Sequence, residues 1–156
     1  MASPLVAEQF NHSKIPVNDM ETSRKFYVEK LGMKLMDRPG GSLPMPEGYV
    51  DPLPGLLGVA DTPQLRLECG GVEVTLFQRA KPVHRKSTEE DGWAHYSYRM
   101  NWDRLNEICD NIEDLRNEGY DIPFAPIRMS EAFGWTIRLY IFDPNGYLLE
   151  LVGVKG

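Results

Sequence analysis

The stretch TIRLYIFDPNGYLLELV, residues 136–152, contains two apolar runs that are separated by four turn-forming residues. DPNG, at residues 143–146, is a strong turn signal because proline fixes φ and glycine tolerates a positive φ. The stretch therefore predicts two paired strands, Thr136–Phe142 and Tyr147–Val152. Glu150 lies in the middle of the second strand, where a carboxylate is costly unless it is paired or coordinates a cation.

The residues before this hairpin predict another strand, a helix and a further strand. Trp93–Met100 alternates between apolar and polar residues, which is typical of a strand. Asp103 can cap a following helix, and Gly119 can end it. The strand Ile122–Met129 completes a β-α-β-β-β order for the second half. The helix itself is predicted by apolar residues at helical spacing, namely Leu105, Ile108, Cys109, Ile112 and Leu115.

The first half of the chain repeats this order. A strand over Phe10–Val17 precedes a helix over Met20–Leu31, which Asp19 caps and Gly32 closes. Three strands follow, and Gly70-Gly71 between the last two suits a hairpin turn. These strands are Met33–Asp37, Gln64–Cys69 and Val72–Gln78. The chain therefore predicts an α+β fold of two tandem βαβββ modules in a single domain, residues 1–156, with module one at about 8–80, a connector at 81–92 and module two at about 93–153.

A long segment without regular structure interrupts the first module. Arg38–Pro63 is rich in proline and glycine, which are unfavourable in helices and strands. It also contains Leu53, Leu56 and Leu57, so we expect it to pack on the protein. Two placements are open, one over a substrate pocket and the other on the back of a sheet.

Two histidines occupy matching positions in the two modules. His12 and His95 are each the third residue of the predicted strand that opens a module. A single strand histidine is most often a structural residue, but a matching pair indicates a shared role. If the opening and closing strands meet around one cleft, both imidazoles converge with Glu150 into a ligand set suited to Fe, Mn, Co, Ni or Zn. Glu150 could instead pair with Arg138 on the neighbouring strand or lie on a solvated face.

The composition excludes several classes of protein. Apolar residues make up 42% of the chain and charged residues 26%, and no apolar run approaches the ~20 residues of a membrane-spanning helix. The formal net charge is −6 and the basic residues are scattered, so we expect no nucleic-acid partner. The N-terminal residues lack the pattern of a secretory signal, and Cys69 and Cys109 form no spaced cluster. These features favour a reducing, cytoplasmic setting.

The residues described above resemble the vicinal oxygen chelate family, which includes glyoxalase I, fosfomycin-resistance proteins, methylmalonyl-CoA epimerase and extradiol ring-cleaving dioxygenases. The resemblance rests on HSKIPVNDMETSRKFY at residues 12–27, on His95, and on DPNGYLLE at residues 143–150. It implies a curved mixed sheet of half-barrels around a metal cleft, where His12, His95 and Glu150 hold one divalent ion. It also implies a small-molecule substrate and a homodimer, with each site either within one chain or shared between exchanged modules.

Some family members use a fourth ligand on the closing strand of the first module. Aligning Gly71 with Gly146 places Thr75 opposite Glu150, so this ligand is expected to be absent. A register slip of two residues would bring Glu73 to that place instead. The remaining three-ligand set resembles that of the dioxygenases and the fosfomycin-resistance enzymes.

The residues around Tyr140 match most of the extradiol dioxygenase signature, in which a tyrosine precedes the ligand glutamate at this spacing. The signature also has a histidine a few residues upstream, where this chain has residues 131–134, EAFG. The resemblance favours dioxygenase chemistry with Fe(II), which suits a site of two histidines and one carboxylate. Tyr140 would then act as a hydroxyl donor to the substrate.

Two alternatives to a dioxygenase are open. One is an isomerase, epimerase or lyase that uses Zn, Ni, Mn or Co to move a proton next to a carbonyl. The other is a protein that sequesters a small molecule such as an antibiotic, as family members without metal do. Its groove would be lined by aromatic side chains, for which the candidates are Trp93, Tyr96, Tyr98, Trp102, Phe133, Trp135 and Tyr140.

Overall fold

The structure is a computed structural model that describes residues 10–36, 64–79, 81–84, 86, 94–130 and 134–155. The chain divides into two compact units, Met1–Val83 and His84–Gly156. This division falls within the predicted connector, most of which lies outside the described residues, as does the predicted loop Arg38–Pro63. The expectation that both modules form one domain stays a prediction.

The first unit contains a four-stranded mixed sheet and a helical segment. The sheet order is β1-β4-β3-β2, with β1 parallel to β4 and the other neighbours antiparallel. Helix α1 follows β1 and continues as a π-helical stretch. The elements in chain order are β1 (His12–Val17), α1 (Met20–Arg24), the π-helical stretch (Lys25–Lys30), β2 (Lys34–Leu35), β3 (Gln64–Cys69) and β4 (Val72–Gln78).

The two faces of this sheet differ in polarity, because successive residues of a strand point to opposite sides. One face carries buried apolar side chains, namely Ile15, Val17, Leu67, Val74 and Leu76. The other face is polar and includes His12, Lys14, Arg66, Glu73 and Thr75. The first unit therefore has one apolar face for its core and one polar face.

The second unit repeats this arrangement. Its sheet order is β5-β8-β7-β6, with β5 parallel to β8 and the other neighbours antiparallel. The predicted α+β fold of two βαβββ modules, each with a mixed sheet, is confirmed. The elements in chain order are β5 (Tyr96–Met100), α2 (Trp102–Asp110), α3 (Ile112–Asn117), β6 (Ile127–Arg128), β7 (Thr136–Phe142) and β8 (Leu148–Val154).

Helix α2 covers one face of the second sheet. A Cβ added to Gly153 of β8 would lie 3.1 Å from the Trp102 Cα atom, so α2 approaches the strand closely at this glycine. Leu149 and Leu151 share this face with Gly153 and are buried. Glu150 alternates with them and therefore points to the opposite face, away from α2.

The first predicted helix changes type along its length. Asp19 caps it as predicted, since its carboxylate accepts a hydrogen bond from the Thr22 N–H at 2.7 Å. The α-helix ends at Arg24, however, and the π-helical stretch continues the segment to Lys30. Gly32 then has a φ of +71°, which suits its predicted position at the end of the helix.

The second predicted helix is divided and starts differently from the prediction. Asn111 separates α2 from α3, because its backbone at φ −112° and ψ 37° is not helical. Asp103 was the predicted N-cap and this was wrong: the cap is Asn101, whose side chain accepts from the Arg104 N–H at 3.0 Å. Within the described residues, no helix is long and apolar enough to cross a membrane.

Several predicted strands have different bounds. The described part of the predicted strand Met33–Asp37, residues 33–36, contains only β2. The predicted strand Ile122–Met129 is reduced to β6, and a single bridge joins the preceding Asp121 to Phe142. Two prolines, at positions 123 and 126, explain the second case because they lack the N–H that a strand ladder requires. Strand β5 begins at Tyr96, so His95 lies just before the strand and not within it.

Replacing Asn101 by alanine tests which residue begins α2. Asn101→Ala removes the oxygen that accepts from the Arg104 N–H, so we expect the free energy of unfolding to fall by about 1 kcal/mol. Asp103→Ala is the matched control, because an exposed carboxylate in the first turn contributes roughly 0.3 kcal/mol through the helix dipole. Urea unfolding measures both values, and a larger loss for Asp103→Ala would restore the predicted cap.

Candidate metal centre

Three oxygen-bearing side chains form a row across β5, β8 and β7. Ser97 and Tyr140 are the register partners of Glu150 on either side, and we call these three residues the carboxylate row. Ser97 Oγ donates to Glu150 Oε2 at 2.6 Å, and the Tyr140 hydroxyl donates to Oε1 at 2.7 Å. Both carboxylate oxygens therefore accept a hydrogen bond, although Glu150 is only 7% exposed.

Two basic side chains face the same carboxylate. His95 Nε2 lies 3.5 Å from Glu150 Oε2, and Arg138 Nη1 lies 3.6 Å from Oε1. The rings of His95 and Tyr140 also meet edge to face, with centroids 5.6 Å apart. The second unit thus brings together three of the predicted site residues. The alternative pairing of Glu150 with Arg138 exists only as a contact longer than a hydrogen bond.

Hydrogen bonding decides the charge state of the carboxylate row. Burial acts to raise the pKa of Glu150, but hydrogen bonds from Ser97 and Tyr140, with the nearby charges of Arg138 and His95, bring it below the ordinary 4.5. Burial, and after it the hydrogen bond to Glu150, raises the pKa of Tyr140 above 10.0. At neutral pH the row therefore holds a carboxylate and a protonated phenol.

His12, the remaining predicted ligand, lies in the first unit. It is the first residue of β1 and is exposed. Its Nδ1 lies 3.0 Å from Asn11 Oδ1, and an Nδ1–H that donates to this amide oxygen leaves the lone pair on Nε2. Because His95 also directs Nε2 toward Glu150, both histidines would offer the same ring nitrogen to a metal.

The first unit has a threonine where the second has the candidate ligand Glu150. Thr75 pairs with Lys14, two residues after His12, in the same way that Glu150 pairs with Ser97 in the second unit. Thr75 therefore occupies the position of the fourth family ligand, as the alignment of the two turns predicts. The slip of two residues that would bring Glu73 to this position does not occur.

Glu73 nevertheless lies near His12 on the polar face of the first sheet. It is the direct register partner of His12 on β4. Its Oε1 accepts a hydrogen bond from the Thr75 hydroxyl at 2.9 Å and lies 3.7 Å from Arg66 Nε. The carboxylate of Glu73 therefore has its partners, Thr75 and Arg66, within the first unit. Glu73 lies two residues before Thr75, which is at the position of the fourth family ligand.

His95 and Glu150 have the spacing of two neighbouring ligands on one ion. Metal–ligand bonds of about 2.1 Å place adjacent donor atoms ~3.0 Å apart in an octahedral site and ~3.4 Å apart in a tetrahedral one. The observed separation of 3.5 Å is close to the second value. Over the described residues, neither unit alone gathers three His, Cys, Asp or Glu side chains around one point. The pair fits a divalent ion, and a third ligand from His12 stays a prediction.

Sequence reasoning missed two residues that hold the candidate ligands. Ser97 lies two residues after His95, and strand alternation places both residues on the same side of the chain. Its position could therefore have indicated a role. Its contact with Glu150 depends on the pairing of β5 with β8, which the sequence does not show. Asn11 simply precedes His12, and no sequence pattern distinguishes it.

The aromatic residues proposed to line a groove do not share one face of the second sheet. Tyr96 and Tyr98 alternate with Ser97 and lie on the α2 face, whereas Tyr140 lies on the opposite face. Two further candidates, at positions 93 and 133, lie outside the described residues. The described members of this set therefore do not form one aromatic groove within the second unit.

Comparison with known proteins identifies the family. Residues 9–151 match the Glyoxalase/Bleomycin resistance protein/Dioxygenase superfamily, and the chain belongs to it. A lactoylglutathione lyase from Pseudomonas putida is 25% identical over 163 aligned residues, covering 97% of this chain and 88% of that protein. The family resemblance that the histidines and the closing turn carry is confirmed.

Solved structures share the fold over almost the whole chain. A variant of the fosfomycin resistance protein FosX from Listeria monocytogenes, in complex with Mn(II) and 1S,2S-dihydroxypropylphosphonic acid, matches with a TM-score of 0.62. Its sequence identity is 13%, over 96% of this chain and 95% of that chain. An integron cassette protein from Vibrio cholerae has a TM-score of 0.56 and 19% identity, over 98% of this chain and 100% of that chain. At these identities the likeness shows the fold alone.

Removing the Tyr140 hydroxyl tests how Glu150 is held in metal-free protein. Tyr140→Phe deletes the donor to Oε1, and we expect the free energy of unfolding at neutral pH to fall by about 1–2 kcal/mol. The folded pKa of Glu150 lies below its unfolded value, so this stabilisation is present above about pH 4.5 and is lost as the pH falls through the folded pKa. The difference between variant and wild type should therefore shrink in acid.

Tyr98→Phe is the matched control, because it makes the same change on the opposite face of the sheet. Urea unfolding in the presence of a chelator, at neutral pH and below the folded pKa of Glu150, provides the comparison. A loss in Tyr140→Phe that is equally large at both pH values would contradict the role assigned to its hydroxyl.

Proposed function

We propose that this protein is a metal-dependent enzyme that holds one divalent ion through His12, His95 and Glu150 and binds a small substrate through two neighbouring oxygen atoms. The contact between His95 and Glu150 carries the proposal, because a buried carboxylate is fixed by two hydroxyl donors 3.5 Å from an imidazole nitrogen. The Mn(II) complex of the FosX variant supports a divalent ion in this fold.

The protein's own residues would orient the ligands before an ion binds. Ser97 and Tyr140 hold the Glu150 carboxylate in one orientation, and Asn11 would hold the His12 ring if His12 Nδ1–H donates to its amide oxygen. Such partners of metal ligands reduce the ordering that binding would otherwise require. Three protein ligands leave coordination positions for a substrate. A bound divalent ion would supply Lewis acidity, which stabilises negative charge on a substrate oxygen.

Proton transfer without oxidation is the first chemistry we propose for this centre. The lactoylglutathione lyase relative, which aligns with 97% of the chain, supports an isomerase or lyase that uses Zn, Ni, Mn or Co. In such a reaction the substrate loses a proton next to a polarised carbonyl and regains one elsewhere. The Tyr140 hydroxyl donates a hydrogen bond to Glu150, so its part in this chemistry would be to keep the carboxylate ionised and oriented.

Dioxygenase chemistry with Fe(II) is the second candidate, and the composition of the site favours it. Two histidines and one carboxylate form the ligand set of non-haem iron oxygenases, with open positions for O₂ and substrate. Elemental analysis of protein purified anaerobically, combined with O₂ uptake, separates the two chemistries. Zinc, nickel, manganese or cobalt without O₂ uptake supports the first, whereas iron with O₂ consumption supports the second.

Loss of each proposed ligand should release the metal without unfolding the protein. We expect His12→Ala, His95→Ala and Glu150→Gln each to weaken metal affinity by about 100-fold or more, because removal of a ligand is at least as costly as removal of its hydrogen-bond partner. Metal content after dialysis and the far-UV circular dichroism spectrum are measured together. His84→Ala is the matched control, since His84 is exposed. Full metal occupancy in all three variants would reject this ligand set.

We also propose that the enzyme is a homodimer, which is the commonest assembly of soluble chains. The three ligands could then come from one chain or from modules exchanged between two chains. Mixing inactive His12→Ala protein with inactive Glu150→Ala protein distinguishes these arrangements. Exchange restores one intact site in each heterodimer and therefore partial activity, whereas sites within one chain remain defective. Sedimentation of a monomer at micromolar concentration would contradict the dimer.

A further inference from the structure

Two arginines lie on the ligand face of the second sheet, directly beside the carboxylate row. Arg99 on β5 and Arg138 on β7 are both register partners of Val152 on β8, and we call these three residues the arginine row. The arginine row is two residues along each strand from the carboxylate row. Since residues two apart on a strand point to the same side, both guanidinium groups extend from the face of Glu150.

Neither guanidinium group is matched by a hydrogen-bonded carboxylate. Arg99 is exposed, and no described residue forms an ion pair or a hydrogen bond with its side chain. Arg138 Nε is buried and has no hydrogen-bond partner within the described part of the chain. Its Nη1 is 3.6 Å from Glu150, whose two oxygens already accept from the two hydroxyl groups of the carboxylate row, and the guanidinium also interacts with the Tyr140 hydroxyl. The Arg138 side chain as a whole is 42% exposed, so the terminal N–H groups of its guanidinium can contact an anion.

The spacing of the arginine row suits one small anion. Adjacent strands lie about 4.8 Å apart, so the Cα atoms of Arg99 and Arg138 are separated by roughly 10 Å with Val152 between them. Two arginine side chains can bridge this distance above a valine and meet the same group. Guanidinium groups are planar and present paired N–H donors, which match the oxygens of a carboxylate, phosphate or phosphonate.

The charge of the centre leads to the same class of ligand. One divalent ion, two neutral imidazoles and one carboxylate carry a single net positive charge. The two guanidinium groups of the arginine row raise that excess, since arginine stays protonated at all ordinary pH values. A neutral substrate would leave the excess uncompensated, whereas an anionic substrate removes it.

We propose that Arg99 and Arg138 bind an oxyanion of the substrate, either a carboxylate or a phosphorus oxyanion, that lies a few bonds from the two oxygens held by the ion. This inference rests on the proposed function, because it takes the ion as the other point of attachment. It restricts the substrates of the centre to small anionic compounds.

Three hydroxamic acids with the same chelating group test this inference on Mn(II)-loaded protein. Acetohydroxamic acid has no further charge, malonomonohydroxamic acid adds a carboxylate, and phosphonoacetohydroxamic acid adds a phosphonate. By isothermal titration calorimetry, we expect at least one anionic probe to bind about ten-fold more tightly than acetohydroxamic acid, as a charge-assisted pair of hydrogen bonds allows. The stronger of the two anionic probes then identifies the kind of oxyanion.

Arg99→Gln and Arg138→Gln should each remove most of this preference. The affinities of Arg99→Gln for Mn(II) and for acetohydroxamic acid should stay within about two-fold of wild type, because Arg99 is not a proposed metal ligand. Arg138 lies 3.6 Å from Glu150, so Arg138→Gln is judged at saturating Mn(II) by the ratio of its affinities for the anionic and the neutral probe. Arg128→Gln makes the same charge change on the α2 side of the sheet, where Arg128 pairs with Asp110, and should keep the preference.

The outcomes separate this inference from the proposed function. Equal affinities for all three probes in wild type, or an unchanged preference in both arginine variants, overturns the inference and leaves the metal site standing. If acetohydroxamic acid does not bind in a Mn(II)-dependent way, the proposed function fails first, and the inference fails with it.

Discussion

The register of β8 between β5 and β7 is the constraint on which the candidate centre depends. Side chains of a strand alternate between its two faces, so a slip of one residue would turn Glu150 toward α2 and expose Leu149 and Leu151. The close approach of α2 to Gly153 adds to this constraint, because a Cβ there would lie 3.1 Å from the Trp102 Cα atom and the helix would have to shift slightly. The apolar residues of β8 therefore determine where the carboxylate lies. Its burial is offset by the two hydroxyl groups that the same register places on either side.

The two modules share a backbone plan but differ in the chemistry of their polar faces. At equivalent register positions the first unit has Thr75 and Arg66 where the second has Glu150 and Tyr140. The repeat thus maintains the pairing of strands and leaves the residues of the polar face free to differ. In the first unit this face supplies His12, together with Glu73, which its neighbours hold. Membership of the superfamily therefore predicts the backbone fold, whereas the reaction depends on the side chains of the polar faces.

The order of elements could be predicted from the sequence because its signals are local. Alternation, apolar spacing and the turns at residues 70–71 and 143–146 each act within a few residues. The interruptions of the helices could not be predicted in this way. Asn101 and Asp103 are both good capping residues, and the choice between them depends on where the strand before them ends. The π-helical stretch after Arg24 likewise has no sequence signal that we recognise.

The candidate site was predicted in part for the same reason. His95 could be identified because it has a counterpart, His12, in the first module. Glu150 could be identified because it interrupts an apolar run. The positions of Ser97 and the arginine row relative to Glu150 follow only from the pairing of β5 and β7 with β8. The pairing of β5 with β8 brings Ser97 and Arg99 beside residues more than 30 positions later in the chain, and a local pattern cannot predict it.

We propose that one divalent ion is held by His12, His95 and Glu150. Anomalous diffraction from crystals of the Mn(II)-loaded protein tests it most directly, because the signal locates the ion independently of the protein atoms. We expect one strong anomalous peak about 2.1 Å from His12 Nε2, His95 Nε2 and a carboxylate oxygen of Glu150. A peak bound by other residues, or an ion-free centre in which Ser97 and Tyr140 still hold Glu150, would contradict it.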